Sequence, residues 1–173
     1  MTKRDDIAGA AVAVFARHGF AHTSMDLIAR AAGVSRPALY QYFRNKHDVF
    51  AAVAECATGR IVRAAERARD ADGTPADRVH GVLLVKLDAA GTDGASFPPE
   101  LVAQAGAMGV APADDELVHL LAQLLAGTPE PLETAAVLLA STAGIARSDG
   151  GPEVQHRRLR LLVDLVVGGP TVR

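Results

Sequence analysis

Residues 23–46, TSMDLIARAAGVSRPALYQYFRNK, constrain the fold more than any other stretch of the chain. Met25, Ile28, Ala29 and Ala32 recur at helical spacing. Thr23 or Ser24 stands where a hydroxyl can accept from the free N–H groups of a first turn, and Asp26 completes a capping-box pattern with Thr23. Gly33 ends that helix, because a left-handed backbone costs glycine no steric strain. Val34 reads as buried in the turn and Ser35 as the cap of a second, short helix. Pro37 falls in that helix's first turn, where a missing N–H is no loss. Leu39 and Phe43 point inward. Arg36, Ala38, Tyr40, Gln41 and Tyr42 are left outward, and the helix closes at Arg44-Asn45.

The flanking sequence supports an all-α chain. Ile7, Ala10, Ala11, Val14 and Phe15 mark a helix over 4–18, stopped by Gly19, with Phe20 anchoring the exit. A long helix is expected from Lys46 to Arg69, with Val49, Phe50, Val53, Cys56, Ala57, Ile61 and Ala64 on one side. Beyond Asp72-Gly73-Thr74-Pro75, helices are predicted near 76–90, 99–109, 113–126, 130–147 and 152–168, separated by Gly- and Pro-containing breaks. Segment 91–98 has the weakest pattern and is expected to be a mobile loop. With 49% apolar residues and only 4% aromatic, the 173-residue chain has the Ala, Val and Leu mass of packed helices rather than of a sandwich. The expected division is a three-helix head, 1–47, and a helical body, 48–173.

Composition also excludes. One cysteine, Cys56, rules out an internal disulfide framework and a cysteine-based zinc site. No apolar run approaches the roughly 18 residues of a membrane span. The opening MTKRDDIAG reaches its charges at once, without a signal-peptide core, so a cytoplasmic protein is expected. The His-Glu-x-x-His, Gly-x-Ser-x-Gly and phosphate-loop patterns do not occur, and an enzyme is not expected. Asp115, Glu116 and His119 share a helix face but do not make a metal site, and no cofactor is expected.

Charge is unevenly spread. Residues 1–50 carry seven Lys and Arg against four acids, a net +3, while 51–173 carry a net −5. An acidic body would be repelled by phosphate and leave the basic head to face it. The short second helix is small enough to enter a major groove, with Arg36 at the end where such helices meet base edges. Tyr40 and Tyr42 carry hydroxyls suited to phosphate oxygens. Lys46 opens the next helix, where its ammonium and the free N–H groups can hold a phosphate together.

These residues resemble the TetR family of transcriptional regulators. The resemblance is carried by Phe15-Ala16-Arg17-His18-Gly19-Phe20, the Thr23-Ser24 cap, Ile28-Ala29 and Ala32-Gly33-Val34-Ser35. It is strongest in Leu39-Tyr40-x-Tyr42-Phe43-x-x-Lys46. It implies an all-helical dimer with a DNA-binding head and a ligand-binding body. It places DNA contacts at Thr23, Arg36, Ala38, Tyr40, Tyr42 and Lys46, and Pro37 and Gln41 on the same short helix complete the candidate DNA-binding set. Pro37-Ala38 departs from the small polar pair common there; the Ala38 methyl can pack on thymine but cannot hydrogen-bond a base.

The body is less legible. Cys56, Arg60 and His80 are polar or reactive groups near an expected core, and Val53, Leu84 and His119 complete a weak candidate ligand set. Small residues at Ala136, Ala140 and Gly144, and a stripe of Leu159, Leu162, Leu165 and Val166, are the candidate dimer seam, as the resemblance implies. The expected function is a homodimeric, ligand-responsive repressor. It would bind a double-stranded, pseudo-palindromic operator and a small apolar effector. The alternative is a helical ligand-binding or protein-interaction module that has lost specific DNA binding.

Overall fold

A computed structural model describes residues 2–91, 99–110 and 112–168. The described residues form helices and connecting turns, without strands. The helices are α1 (Lys3–His22), α2 (Met25–Ala31), α3 (Arg36–Tyr42), α4 (Lys46–Arg69), α5 (Pro75–Gly91), α6 (Pro99–Ala107), α7 (Ala113–Leu124), α8 (Pro131–Ala146) and α9 (Gly151–Val167). The loop expected at 91–98 falls outside the described residues from position 92 on.

The helices divide into two compact units. One runs to Gly59 and takes in α6; the other begins at Arg60 and contains α5, α7, α8 and α9. The division falls inside α4 rather than at its start. From Glu55 to Ala64 that helix has no fully buried residue, whereas Val49, Phe50, Ala52, Val53 and Ala54 before it and Ala65 after it are buried. Cys56, Ala57, Ile61 and Ala64, expected on a buried stripe, are only partly covered, because one core ends in this stretch and the next begins.

In the first unit the helix ends follow local chemistry. Thr2 caps α1 in a reciprocal box: the Asp5 N–H donates to the Thr2 hydroxyl at 3.3 Å, and the Thr2 N–H donates to the Asp5 carboxylate at 2.8 Å. Those bonds hold the Asp5 carboxyl below its ordinary pKa. The run of α1 breaks at Gly19 (φ 69°, ψ 169°), a backbone that glycine adopts freely, before a final turn to His22. Gly33 (φ 62°) closes α2 in a double-bonded cap, its N–H donating to Arg30 O at 3.2 Å and that of Val34 to Ala29 O at 3.0 Å. Ser35 accepts from Ala38 N at 3.3 Å, with Pro37 in the first turn.

Ile7, Ala11 and Phe15 of α1, Ile28 of α2, Leu39 of α3, Phe43, and Val49, Phe50 and Val53 of α4 share one core with Leu101 of α6. Phe15 and Phe20 both pack against Phe50, ring centres 5.0 and 5.2 Å away. Each buried large side chain contributes about 1.5–3 kcal/mol, and this short segment concentrates four of the chain's five phenylalanines, Phe15, Phe20, Phe43 and Phe50, in its core. Ala8 is buried, while Ala10, expected on the stripe, is half-buried.

In the second unit α5 is central. Val79, Val82, Leu83 and Leu87 pack with Leu117, Leu120 and Leu121 of α7, Ala135, Leu138 and Leu139 of α8, and Leu159 and Val163 of α9. Thr142 lies fully inside, and its hydroxyl donates to Leu138 O at 2.9 Å.

Candidate nucleic-acid interface

Helix α3 is held from below and open above. Leu39 is fully buried and Phe43 nearly so, which fixes the helix on the core. Arg36, Pro37, Tyr40, Gln41 and Tyr42 are exposed, and Ala38 is half-buried. The two tyrosines are among the exposed large side chains, at 44% and 41%. A rigid short helix therefore presents a guanidinium, an amide and two phenols on one surface.

Arg36 is engaged on both sides. Its Nη1 lies 3.4 and 3.5 Å from the two carboxylate oxygens of Asp26, and its guanidinium carbon lies 5.7 Å from the Tyr40 ring centre. Hydrogen bonding to Tyr40, then the Asp26 charge, raises the arginine's pKa. Asp26 does not form the expected capping box with Thr23. Ser24 caps α2, accepting from Leu27 N at 3.3 Å.

Two candidate DNA residues sit elsewhere than the sequence suggests. Thr23 is 3% exposed, and its hydroxyl donates to Gly19 O at 2.7 Å, so it belongs to the corner between α1 and α2 and not to the open face. Lys46 points its ammonium at the same corner. Nζ donates to the carbonyls of Phe20 (2.9 Å), Ala21 (3.0 Å) and Thr23 (3.2 Å) and lies 4.7 Å from the Phe20 ring centre. An ammonium has three hydrogens, and in this arrangement each has a carbonyl within reach. Lys46 thus closes the end of α1, whose last carbonyls have no intrahelical partner. Asn45 caps α4, accepting from Asp48 N at 3.0 Å, and Asp48 accepts from Arg44 N at 3.1 Å.

Two further exposed cations lie near the end of α3. Arg4 is exposed, and its guanidinium carbon lies 4.8 Å from the ring centre of Phe43, which places the start of α1 beside the end of α3. Arg44 follows Phe43 directly and is exposed. Neither arginine forms an ion pair among the described residues. Both were countable in the basic head; their position beside α3 was not, because it depends on the chain closing through Phe43.

The candidate ligand residues do not form one cluster. Val53 and Cys56 belong to the first unit; Arg60, His80, Leu84 and His119 belong to the second. Val53 is wholly buried in the core, whereas Arg60 and His119 are exposed. His119 Nδ1 is 2.7 Å from Asp115 O, one turn earlier. Leu84 packs on the second core. His80 is half-buried, with Nε2 enclosed and without a hydrogen-bond partner. A groove of about 420 Å³ lies along Gly19–His22, Glu100, Leu101 and Gln104, and none of the six lines it. No group of three potential metal ligands occurs among the described residues. No described helix is long and apolar enough to cross a membrane.

The seam candidates also divide. Leu159 is fully buried in the second core and Leu162 packs partly against it, so neither lies on a free face. Leu165 and Val166 are exposed, and so is Leu161. On α8, Ala140 and Gly144 are exposed and Ala136 is half-buried, beside exposed Leu132 and Val137. The reason is composition: α8 is apolar nearly all round, and α9 from Leu159 on is apolar apart from Arg160 and Asp164, so periodicity does not choose the inward side there.

A buried-footed short helix after a capped glycine turn, in an all-helical chain with cations at its edge, defines a helix-turn-helix protein. Residues 7–53 match the family model described as bacterial regulatory proteins, tetR family. The chain is similar over 58 residues, 38% identical, to the HTH-type transcriptional regulator AcrR of Shigella flexneri, covering 34% of this chain and 27% of that protein. It is also similar to the HTH-type transcriptional repressor SCO4008 of Streptomyces coelicolor, 48% identical over 46 residues, 27% of this chain and 24% of that protein. The match thus spans about a quarter of the length of these curated relatives. Over nearly the whole length, the fold matches the crystal structure of a TetR-like transcriptional regulator from Rhodococcus. That match has a TM-score of 0.69 and 26% identity, and covers 97% of each chain. Residues 7–53 thus carry a tetR-family DNA-binding helix-turn-helix, and the whole chain has the fold of a TetR-like transcriptional regulator.

Proposed function

We propose that the chain is a cytoplasmic, ligand-responsive repressor that binds a pseudo-palindromic operator as a homodimer. The observation that carries this reading is α3: a helix anchored by Leu39 and Phe43 and exposing Arg36, Tyr40, Gln41 and Tyr42. Arg36 reads a base edge in the major groove, the tyrosine hydroxyls meet phosphates, and Pro37 and Ala38 pack at the groove floor. Arg4 and Arg44 supply the phosphate-neutralising charge that Lys46, committed to carbonyls, does not.

In this reading the head, 1–47, binds DNA, and the remainder, 48–173, dimerises and binds an effector. The exposed apolar residues of α8 and α9 form the seam, since a second copy would bury them around a two-fold axis. A dimer places two heads in successive major grooves. A small apolar effector in the body, whose interior is built from Leu, Val and Ala, favours a state that fits the operator less well. It releases DNA by its differential affinity for the two states.

Selection of bound duplexes from a random pool, with the purified chain at moderate salt, tests the proposal. One inverted-repeat motif is the expected outcome. Binding without a motif that disappears as salt rises would be sequence-independent charge alone and would refute it.

A further inference from the structure

We propose that Asp26 is a specificity-determining residue of the head: its carboxylate keeps the Arg36 guanidinium for a base edge and off the phosphate backbone. The inference rests on the reading of α3 as the DNA-reading helix. Asp26 has no capping task, because Ser24 takes the Leu27 N–H. Its partner among the described residues is Arg36, ten positions on and in the next helix.

The geometry holds the arginine without consuming it. Asp26 meets Nη1 at 3.4 and 3.5 Å, and a guanidinium has five N–H donors in all, more than one carboxylate can take. Tyr40 lies beside the guanidinium, one turn along α3. An arginine stem has several rotatable bonds, and a hold from α2 and α3 together narrows where its fork can point. Both charged groups are more than half exposed, at 57% and 53%, so this hold is made on the open face of the head.

The sign of the second charge then matters. A phosphate approaching Arg36 also approaches Asp26, well within a screening length of about 8–10 Å, and is repelled. The N7 and O6 acceptors of guanine are uncharged and meet no such repulsion. Asp26 therefore penalises the sequence-independent mode more than the base-reading mode. It raises the ratio of specific to non-specific binding, not raw affinity.

The test compares the wild-type chain, Asp26→Asn, Arg36→Ala and the double variant. Each undergoes random-pool selection and salt-dependent titration on the selected and on a scrambled duplex. Asp26→Asn is expected to bind scrambled DNA several-fold more tightly and to lose about tenfold in discrimination at one base pair per half-site. Thermal unfolding should stay unchanged, and in the Arg36→Ala background the same substitution should leave that base preference alone. An unaltered base profile in Asp26→Asn overturns the inference while the operator-binding reading stands, as does a change that persists without Arg36. A wild-type pool that yields no motif overturns both.

Discussion

At the residue scale, charge alone does not say what a cation does. Lys46 and Arg44 are two positions apart, yet one ammonium is spent on the carbonyls of Phe20, Ala21 and Thr23 while the other side chain stays exposed. Salt dependence separates these roles, because each neutralised phosphate adds about 0.9 to the slope of log affinity against log salt. Lys46→Met keeps the stem beside Phe20 and removes the donors. It should cost about 1–2 kcal/mol of stability, read by urea unfolding, and leave the salt slope where it was. Arg4→Gln and Arg44→Gln should do the reverse, each lowering the slope by about one per head with little change in unfolding. A lower slope in Lys46→Met would return that ammonium to the phosphate backbone.

At the scale of elements, α5 and α9 are joined by a polar seam beside their apolar contact. Arg160 of α9 meets Asp77 at 2.7 Å and Asp164 at 2.9 Å, and His156 meets Asp88 at 2.9 Å. Hydrogen bonds from Arg160 and then Thr74 push the Asp77 carboxyl far below the ordinary carboxylate range. Its contribution is thus present above that range and lost as pH falls through the depressed value. His80 behaves differently. Burial first, and the Arg160 charge second, hold its pKa below 6.5, against the opposing pull of Asp164. The folded chain resists a proton that the unfolded chain accepts, so this histidine lowers stability as pH falls below 6.5 and not above it. His80→Leu should flatten the decline in urea midpoint between about pH 6.5 and 5. Asp77→Asn should show a deficit at neutral pH that narrows below about pH 4. A His80→Leu curve parallel to wild type would show that the histidine does not drive the decline.

At the scale of the whole molecule, the proposed dimer is tested through the exposed apolar residues it would bury. Leu161 and Leu165 are 59% and 69% exposed on α9, one turn apart, and Leu132 and Val137 are 57% and 55% exposed on α8. The double substitution Leu161→Glu, Leu165→Glu should convert a dimer to a monomer in sedimentation. It should also weaken operator binding by about two orders of magnitude or more, since two linked heads bind far more tightly than one. A dimer that survives both charges would place the seam elsewhere.

The sequence by itself determined the helices of the head, their caps and their buried feet. Gly33, Ser35, Pro37, Leu39 and Phe43 act over one or two turns, so neighbours in the chain carry the whole argument. It likewise determined the exposed face of α3, because residues left after the buried ones are assigned must look outward. Tertiary structure alone decided the rest. Lys46 reaches carbonyls more than twenty positions earlier, and Asp26 pairs across a turn instead of capping its own helix. Leu159 rather than Leu161 of α9 went into the core, and the six residues considered for a ligand divided between two compact units. Each of these is a choice among partners of similar chemistry. A helix that is apolar all round, or a cation with several acceptors within reach, has no local energy difference large enough to make that choice. Packing makes it, by bringing one partner into contact and burying the alternatives.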